Sequence, residues 1–492
     1  MAHFDLREFM DKLEAEGELC RIDKKVDTYL EVGAIAQRLA ERGGPAVHFT
    51  SVKGSKNGVT LAAGLVGRGM KGLWSKVSVA LEIDPASDYP KVLEEVLRRR
   101  ESPIRPMEVG GGQCKEVVVE ADSVNLKALS APHLHEGDGG EYLTTWAFTV
   151  AQEPGGGYLA WDVLPLMVTS KNTLAGVLPK DSAVGQIYRN SYASEGKPMP
   201  FAIVLGAVPT ATMAASFRIR RGSTTKAEIA GSLQREPVQM VKCELSDLLV
   251  PASAEMILEG VVKPDATAEV GPFPGSFGYS AGGAEEGTVF EVQTITHRKD
   301  PVIPFCSWGT PTCDIHIARG LDADAQLKAA FEAQGAPVVG IFTPPWLAGS
   351  VVAATTKVPY TAYAQAVAGV VRNTEATKYT PYILVCNDDI DITNPVSLFH
   401  AMVTKCHPER DTWIIKNSEA AADAPYLTAE ERKLGKGAAA IFDCTWPLDW
   451  DRSIAVPPKV DFANSYPENI KEKVLAEWSA GLGFPKETDR PA

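Results

Sequence analysis

Several patterns that mark whole classes of protein are missing from this sequence. Its eight cysteines form no C-x-x-C pair, so we expect neither a zinc ribbon nor a disulfide framework. The scattered cysteines fit a protein of the reducing cytoplasm. A Gly-rich nucleotide-binding loop and a G-x-S-x-G motif are also missing, which argues against nucleotide-loop and serine-hydrolase chemistry. No single short motif therefore identifies the chemistry of the chain.

Long apolar and strongly basic segments are missing as well. The longest uncharged run, residues 333–356, is interrupted by glycine and proline, so it predicts strand, turn and strand rather than a membrane span. The first residues lack the apolar core of a signal peptide. The net charge is -13 and basic runs such as 98–100 are short, which is typical of a solvated helix end. We therefore expect a cytoplasmic protein that binds neither a membrane nor a nucleic acid.

The hydrophobic periodicity predicts an α/β and α+β chain in four parts. Residues 1–112 mix amphipathic helices with short strands and predict an N-terminal α/β domain. Residues 113–304 contain many short strands between turn signals, which predicts a barrel or sandwich. Residues 305–455 alternate helices with strands, as in an α/β unit with a parallel sheet. Residues 456–492 contain a terminal helix, 470–479, which we expect to dock on a partner subunit.

Three arginines form the most distinctive cluster of charge. Arg218, Arg220 and Arg221 follow a predicted strand, 211–217, and a turn after them would bring two or three guanidinium groups together. Arginine suits bidentate binding of phosphate or carboxylate. The alternative is a solvated edge strand on which the arginines prevent pairing with another chain. The residues alone leave both interpretations open.

Two other clusters could hold a cation. The carboxylates of 388–391 follow a predicted strand, where aspartates serve equally as caps and turn formers. Asp314 and His316 would share one face of a possible strand and resemble a metal pair, whereas the neighbouring Cys313 favours a structural role. We assign no metal site to either cluster.

Longer segments of the sequence are similar to one known family. They are 133–142, 245–252, 255–260, the Gly271-Pro272-Phe273 turn with Gly278-Tyr279, and 388–391. Over nearly the whole chain these segments resemble the UbiD family of decarboxylases, whose members use prenylated flavin mononucleotide. Residues 442–451 and 466–467 look most like subunits of the phenylphosphate carboxylase branch.

The resemblance implies a fold, cofactors and partners. The implied fold has an N-terminal α/β domain, a central split β-barrel like that of flavin reductases, a C-terminal α/β domain and a terminal oligomerisation helix. The implied cofactors are prenylated FMN with Mn²⁺ or Mg²⁺ and K⁺. The implied partners are a small aromatic substrate and other subunits, in a homo-oligomer or a hetero-oligomer of UbiD-like carboxylase chains.

The positions that hold the metal and cofactor in the family differ here. Ala160 and Ala183 stand where the family has asparagine and histidine. Thr225 stands near the family's metal-binding glutamate, and Glu228 is the nearest carboxylate. Mg²⁺ and Mn²⁺ need hard oxygen or imidazole ligands. We therefore expect that this chain has no metal site and binds no prenylated FMN.

The positions that transfer protons in the family differ too. Pro165 stands at the family's arginine, and Val270 and Gly275 stand at its two glutamates. None of these side chains can deliver a proton. The family's flavin-contacting lysine falls near Glu375, with Lys378 as its possible replacement. The resemblance thus implies that the family's chemistry has been lost or replaced in this chain.

The remaining polar residues supply the candidate site. Asp162 would share the face of a strand with Ala160, and Glu269 is one residue from the family's glutamate position, so these two are the catalytic candidates. The candidate substrate- or phosphate-binding residues are Trp161, Ser216, Arg218, Arg220 and Arg221.

Taken together, the residues and the resemblance predict a UbiD-like subunit of an aromatic carboxylase or decarboxylase. It would be similar to phenylphosphate carboxylase and act on a phenol-phosphate or hydroxybenzoate type of substrate. One alternative is a self-sufficient decarboxylase that uses prenylated FMN in an atypical site. Another is a non-enzymatic scaffold or binding subunit.

Overall fold

The computed structural model describes residues 5–483 except 57, 223, 281, 311, 358, 359, 361 and 480. Its helices are α1 (Leu6–Ala15), α2 (Glu31–Arg42), α3 (Ser75–Ala80), α4 (Tyr89–Arg100), α5 (Ala183–Ile187), α6 (Pro209–Ser216), α7 (Lys226–Gln234), α8 (Asp314–Ala333), α9 (Tyr363–Asn373), α10 (Pro395–Lys405), α11 (Ala429–Leu434) and α12 (Glu468–Glu477).

The strands, in chain order, are β1 (Leu19–Ile22), β2 (Ala46–Phe49), β3 (Thr60–Ala63), β4 (Met107–Glu108), β5 (Val117–Val119), β6 (Ala147–Gln152), β7 (Leu159–Asp162), β8 (Met167–Val168), β9 (Thr173–Gly176), β10 (Met199–Leu205), β11 (Gln239–Lys242), β12 (Leu249–Pro251), β13 (Met256–Val262), β14 (Thr267–Val270), β15 (Glu285–His297), β16 (Val302–Phe305), β17 (Val338–Phe342), β18 (Val351–Thr356), β19 (Tyr382–Asn387), β20 (Thr412–Glu419) and β21 (Lys436–Cys444). Helices and strands are mixed throughout, which confirms the predicted α/β and α+β class.

The N-terminal sheet has the order β1-β2-β3-β16. Its helix α1 begins where the Asp5 side chain accepts a hydrogen bond from the amide of Glu8, which caps the helix. Apolar residues of α1 at helical spacing are buried. The last strand of this sheet, β16, comes from far along the chain and pairs in parallel with β3. The predicted boundaries between the four parts of the chain therefore stay a prediction.

The central sheet has nine strands and carries the site. Its main path is β7-β6-β10-β13-β15-β9-β8, and β5 and β14 also pair with the long strand β15. Strands β10 and β13 are buried along nearly their whole length, which explains why their sequences are almost continuous apolar runs. The strands β7 and β8 lie at the two ends of this path, and no backbone pairing between them closes the sheet into a barrel among the described residues. The split-barrel description therefore stays a prediction.

The C-terminal sheet has the order β17-β18-β19-β21-β20. Strands β18, β19 and β21 are parallel, as the alternation of helices and strands predicts. The outer strands β17 and β20 pair antiparallel. Helix α8, 20 residues long, contacts both this sheet and the helices α6 and α4. It therefore joins the C-terminal sheet to the part of the chain that carries the arginines.

Two sequence-based predictions about local structure are wrong. Residues 211–217, predicted as a strand, lie mostly in helix α6, whose first residue is Pro209. All eight residues of α6 are buried, so its sequence has no amphipathic period. Such a short apolar run cannot be told from a buried strand by periodicity alone. Asp314 and His316, placed on one face of a strand, instead lie in the first turn of α8.

Candidate anion-binding site

A cavity of about 340 Å³ lies where the end of β7, the start of α5, the segment after α6 and the start of α7 meet. Its volume is within the range of small-molecule sites. Side chains from α8 and from the loop after α9 complete its wall. The cavity therefore lies between the central sheet and the C-terminal part of the chain.

The wall of this cavity is strongly cationic. Among its described residues, six cations outnumber three carboxylates, although the whole chain has a net charge of -13. Concentrating cations in a cleft raises the local concentration of anions. The cations are Arg218, Arg220, Arg221, Lys226, Arg319 and Lys378, and the carboxylates are Asp162, Asp181 and Glu375. The excess of positive charge in this wall favours an anionic ligand.

The arginine segment is an extended connection between two helices. Helix α6 ends at Ser216, and the buried ring of Phe217 then anchors the chain in the core. The next helix starts with a capping box, in which Thr225 and Glu228 exchange side-chain and backbone hydrogen bonds. Because these residues are not in a strand, the edge-strand explanation of the arginines is wrong. Glu228 caps α7 and does not line the cavity.

A buried ion pair forms one side of the cavity. The Lys226 ammonium lies 2.9 Å from Oδ1 of Asp162 and also donates to the carbonyl oxygen of Ala215, at 2.8 Å. The other carboxylate oxygen of Asp162 accepts the backbone amide of Val184, at 2.8 Å. Both charged side chains are buried. Asp162 therefore lines the cavity as a counter-ion, and a catalytic role for it stays a prediction.

The arginines differ in how far their charge is neutralised. Arg221 forms an ion pair with Glu153. Arg218 instead lies over the ring of Tyr379, 5.3 Å from its centroid. Arg319 donates to the Ser216 carbonyl at 3.4 Å. Within the described part of the chain, neither Arg218 nor Arg319 has a carboxylate oxygen within 4.0 Å.

Arg319 keeps its charge despite its surroundings. Burial, and then the positive charge of Arg218, lower the pKa of Arg319 to about 10. The guanidinium is therefore still protonated near neutral pH. Arg218 and Arg319 are half-buried. A bound anion would therefore give these two guanidinium groups a close partner of opposite charge.

The structure brings some of the predicted site residues together and separates others. Trp161 is buried in the core and stacks on Phe148, with ring centroids 4.7 Å apart, so it does not line the cavity. Glu269 lies on the exposed side of β14, opposite Glu286, away from the cavity. The predicted residues that do line it are Asp162, Ser216, Arg218, Arg220 and Arg221.

The residues fit a phosphate group but not the divalent metal that the family's cofactor uses. Ala183 lines the cavity and offers no ligand, and Ala160 is buried among apolar side chains. Throughout the described residues, no three His, Cys, Asp or Glu side chains are arranged to hold a metal ion. The position beside Asp162 is taken by the ammonium of Lys226. The phosphate end of a flavin would meet suitable donors here. Among the described residues of the wall, a divalent cation would meet the carboxylates Asp162, Asp181 and Glu375, of which Asp162 and Glu375 are already paired with lysines.

A smaller cavity of about 70 Å³ adjoins the first and shares Arg218 and Arg319 with it. The Gly- and Pro-rich loop after β14 contributes Ser276, whose amide and hydroxyl both donate to Asp423, at 2.8 and 2.7 Å. A side chain at Gly275 would approach the Asp423 carboxylate to 2.8 Å. The loop is thus pinned in a form that leaves no room for a glutamate at Gly275.

Sequence reasoning missed Lys226 and Arg319. Lys226 follows the capping residue of α7 directly, a position where a lysine is normally exposed. Its partner Asp162 lies 64 residues earlier in the chain. Arg319 comes one turn into α8. No local pattern reveals either contact, because both arise from the packing of α6, α7 and α8 against β7.

Comparison with known proteins identifies the family. Models of the N-terminal, Rift-related and C-terminal domains of 3-octaprenyl-4-hydroxybenzoate carboxy-lyase match residues 10–96, 106–311 and 316–444. The chain is 31% identical to pyrrole-2-carboxylic acid decarboxylase of Pseudomonas aeruginosa, over 96% of this chain and 97% of the relative. The chain therefore belongs to the UbiD family, as the sequence segments predict, and its relatives are carboxy-lyases.

Two further matches agree. Ferulic acid decarboxylase 1 of Saccharomyces cerevisiae is 28% identical over 96% of this chain and 97% of that protein. The closed form of vanillic acid decarboxylase from Sedimentibacter hydroxybenzoicus has a TM-score of 0.85 at 26% identity, covering 98% of this chain and all of the other. The overall fold is thus that of UbiD-class decarboxylases. Among the described residues, no helix is both long and apolar enough to cross a membrane.

Proposed function

We propose that this chain is a UbiD-like subunit of an aromatic carboxylase or decarboxylase and does not itself bind prenylated FMN. The single observation that carries the proposal is the ion pair of Lys226 with Asp162 in the cavity wall. The ammonium of Lys226 neutralises Asp162, so this carboxylate is not free to bind a divalent cation. Ala183 lines the same cavity and offers no ligand, and a Cβ atom at Gly275 would meet the Asp423 carboxylate. Side chains of the kinds that the family uses as ligands and acids are therefore missing from these positions.

The substrate class follows from the charge and size of the two cavities. A small aromatic carboxylate or aryl phosphate matches a basic cavity of about 340 Å³. The relatives named above are decarboxylases of pyrrole-2-carboxylic, ferulic and vanillic acids, which supports an aromatic acid as the substrate. The arginines support the phenol-phosphate type of substrate that the phenylphosphate carboxylase branch takes. Activity would then depend on a second UbiD-like chain that supplies the flavin.

One observation favours a second candidate. The cavity is large and has the cations that a flavin phosphate needs. A self-sufficient decarboxylase that holds prenylated FMN without a bridging metal would use the same residues. A binding subunit without activity would also retain the cavity. These candidates differ in what the purified chain contains and in what it does alone.

The test is to produce the chain with a flavin prenyltransferase, with and without the proteins that co-purify from its native source. We expect a preparation of the chain alone to show no stoichiometric flavin absorbance and to leave 4-hydroxybenzoate, vanillate and phenylphosphate unchanged. Adding the co-purifying subunit is expected to give activity. Full flavin occupancy in the chain alone would overturn the proposal in favour of the self-sufficient enzyme. Inactivity in every combination would favour the binding subunit.

A further inference from the structure

We infer that the cavity binds a phosphate monoester without any divalent cation, because the buried ammonium of Lys226 serves in place of a metal ion. This inference deepens the proposed function and rests on the same cavity. It concerns which group of this chain meets the anion, and it can be tested without any turnover. The argument depends on the hydrogen bonds of Lys226 and on the charges around it.

Lys226 retains a donor for a ligand. An ammonium group has three protons. Within the described residues, two are used, by Asp162 at 2.9 Å and by the carbonyl of Ala215 at 2.8 Å. The side chain is buried and lines the cavity. The third proton is therefore available to an anion in the cavity, and the two fixed bonds hold the ammonium in place.

The charges of the cavity match a phosphate monoester. Three of its cations are neutralised in pairs, Lys226 by Asp162, Arg221 by Glu153 and Lys378 by Glu375. Arg218 and Arg319 face no carboxylate of the described residues within 4.0 Å. A phosphate monoester carries about -1.5 to -2 charges at neutral pH. The guanidinium groups of Arg218 and Arg319 can offset that charge, and their planar forks suit its oxygen atoms.

A divalent metal ion would be disfavoured at this place. It would need several oxygen or imidazole ligands, whereas Asp162 is engaged on both oxygens by Lys226 and by the Val184 amide. Ala183 supplies no ligand. A second cation would also be repelled by the ammonium across a short distance. Anion binding and metal binding are therefore uncoupled in this chain.

Two molecules share the chemistry of a phosphate monoester, an aryl phosphate substrate and a flavin mononucleotide. The rings of Tyr158 and Tyr379 lie beneath Arg221 and Arg218, at 5.6 and 5.3 Å from the guanidinium carbons. Tyr158 lines this cavity and Tyr379 lines the smaller adjoining one, so each supplies an aromatic ring that either molecule can use. The cations of the cavity suit the phosphate group that both molecules carry. Comparing the affinities for phenyl phosphate and FMN shows which of the two molecules the cavity prefers.

The experiment is isothermal titration of the full-length chain with inorganic phosphate, phenyl phosphate and FMN, in EDTA and separately in Mn²⁺. We expect dissociation constants in the two buffers to agree within about twofold. Lys226→Met should weaken binding by about tenfold or more, because one charge-assisted hydrogen bond is lost. Lys197→Met is the control, since that exposed lysine pairs with Glu195 outside the cavity.

Folding of the variants is tested separately. Lys226→Met leaves the buried Asp162 with the Val184 amide but without its counter-ion and can destabilise the fold. The double variant Lys226→Met with Asp162→Asn removes both charges, so its thermal transition is expected near that of the wild type while its affinity for phosphate stays low. Unchanged affinity in the folded double variant, no binding by the wild type, or binding that requires Mn²⁺ would each overturn the inference.

The flavin absorbance of the same preparation distinguishes this inference from the proposed function. Bound prenylated flavin with metal-independent phosphate affinity would refute the proposed function and leave the inference intact. Tighter binding of FMN than of phenyl phosphate would identify a flavin as the natural occupant. The reverse order would identify an aryl phosphate.

Discussion

The sulfur of Cys313 lies 3.1 Å from Nδ1 of His316, and Nε2 of the same ring donates to the Ser276 carbonyl oxygen at 2.6 Å. The imidazole thus joins the start of α8 to the loop beside the smaller cavity. Burial raises the pKa of the Cys313 thiol, but a hydrogen bond from Cys306 and the charge of His316 outweigh it and lower that pKa well below its usual value. Burial lowers the pKa of His316, and the contact with Cys313 outweighs that effect and raises it.

The first prediction is that the thiol of Cys313 ionises at a lower pH than an ordinary cysteine. The ultraviolet absorbance of thiolate, followed against pH, should show one step in the wild type below the usual range of cysteine thiols, and Cys313→Ser should lack this step. His316→Gln should move this titration to higher pH. Cys114→Ser is the control, because burial raises the pKa of that thiol to about 11. Identical curves for the wild type and Cys313→Ser below about pH 8.5 would show that the pKa of Cys313 is not lowered.

The second prediction is that the arginines of the cavity contribute unequally to phosphate binding. Arg218→Ala should weaken phosphate binding by about tenfold or more, since a hydrogen bond to a charged group contributes roughly 1.5–3 kcal/mol. Arg221→Ala should have a smaller effect, because Glu153 already neutralises that guanidinium. Arg218→Lys should also weaken binding, because the planar fork is lost.

Calorimetric titration of inorganic phosphate and phenyl phosphate into these variants measures the order. Equal affinities in the wild type and in all variants would mean that the arginines do not contact the anion. The results would then indicate that the family's site has been lost in this chain and not replaced by an anion-binding site.

The fold could be predicted well where local signals were strong. The sequence predicts a helix over 89–100, the observed limits of α4, because Asp88 can cap it, proline stands in its first turn and its apolar residues recur at helical spacing. It predicts a strand over 256–262, the observed limits of β13, because this is a short, continuous apolar run between turns. In such segments the residues themselves determine the structure, and tertiary contacts only add to it.

The candidate site could be predicted only in part. The arginines were recognisable by their charge, but their neighbour α6 is buried all round, so its period could not be read. The pairing of Lys226 with Asp162 joins residues 64 apart in the chain. Such a contact depends on how α7 packs against β7, which no local pattern encodes. The family resemblance indicates where the site lies, whereas the pairing of its charged groups depends on tertiary packing.

The third prediction concerns oligomerisation through the C-terminal part. Helix α12 has no buried residue and exposes Ile470 and Leu475. Helix α10 exposes Val396, Phe399 and Val403, a stripe at helical spacing that is 76%, 64% and 60% exposed. Apolar surface of this kind is expected to be covered by another subunit.

Truncation after Pro458 should therefore give monomers or insoluble protein. Phe399→Ser and Ile470→Ser should lower the molar mass measured by light scattering after size exclusion. Lys473→Ser, on the exposed surface of α12, is the matched control. A truncated chain that keeps the molar mass of the full oligomer would argue against these surfaces.

The fourth prediction concerns the buried carboxyl group of Asp324, which accepts a hydrogen bond from the hydroxyl of Tyr89. Burial raises the pKa of Asp324 to about 6, whereas an aspartate in an unfolded chain has a pKa of about 3.9. Between these values the folded state binds more protons than the unfolded state. The free energy of unfolding contributed by this group therefore falls as the pH rises from about 4 to about 6 and is constant above that.

Asp324→Asn removes this titration and keeps an oxygen that can accept from Tyr89. Relative to the wild type, the variant should gain on the order of 1–3 kcal/mol in unfolding free energy between about pH 4 and about pH 7, at about 1.4 kcal/mol per pKa unit. Denaturant unfolding at several pH values measures the difference, in which the similar contribution of Asp314, whose pKa burial also raises to about 6, cancels. Asp247→Asn, at an exposed position, is the control for the loss of a surface carboxylate. A difference for Asp324→Asn that does not change with pH would mean that the Asp324 carboxyl group is already ionised in the folded protein at about pH 4.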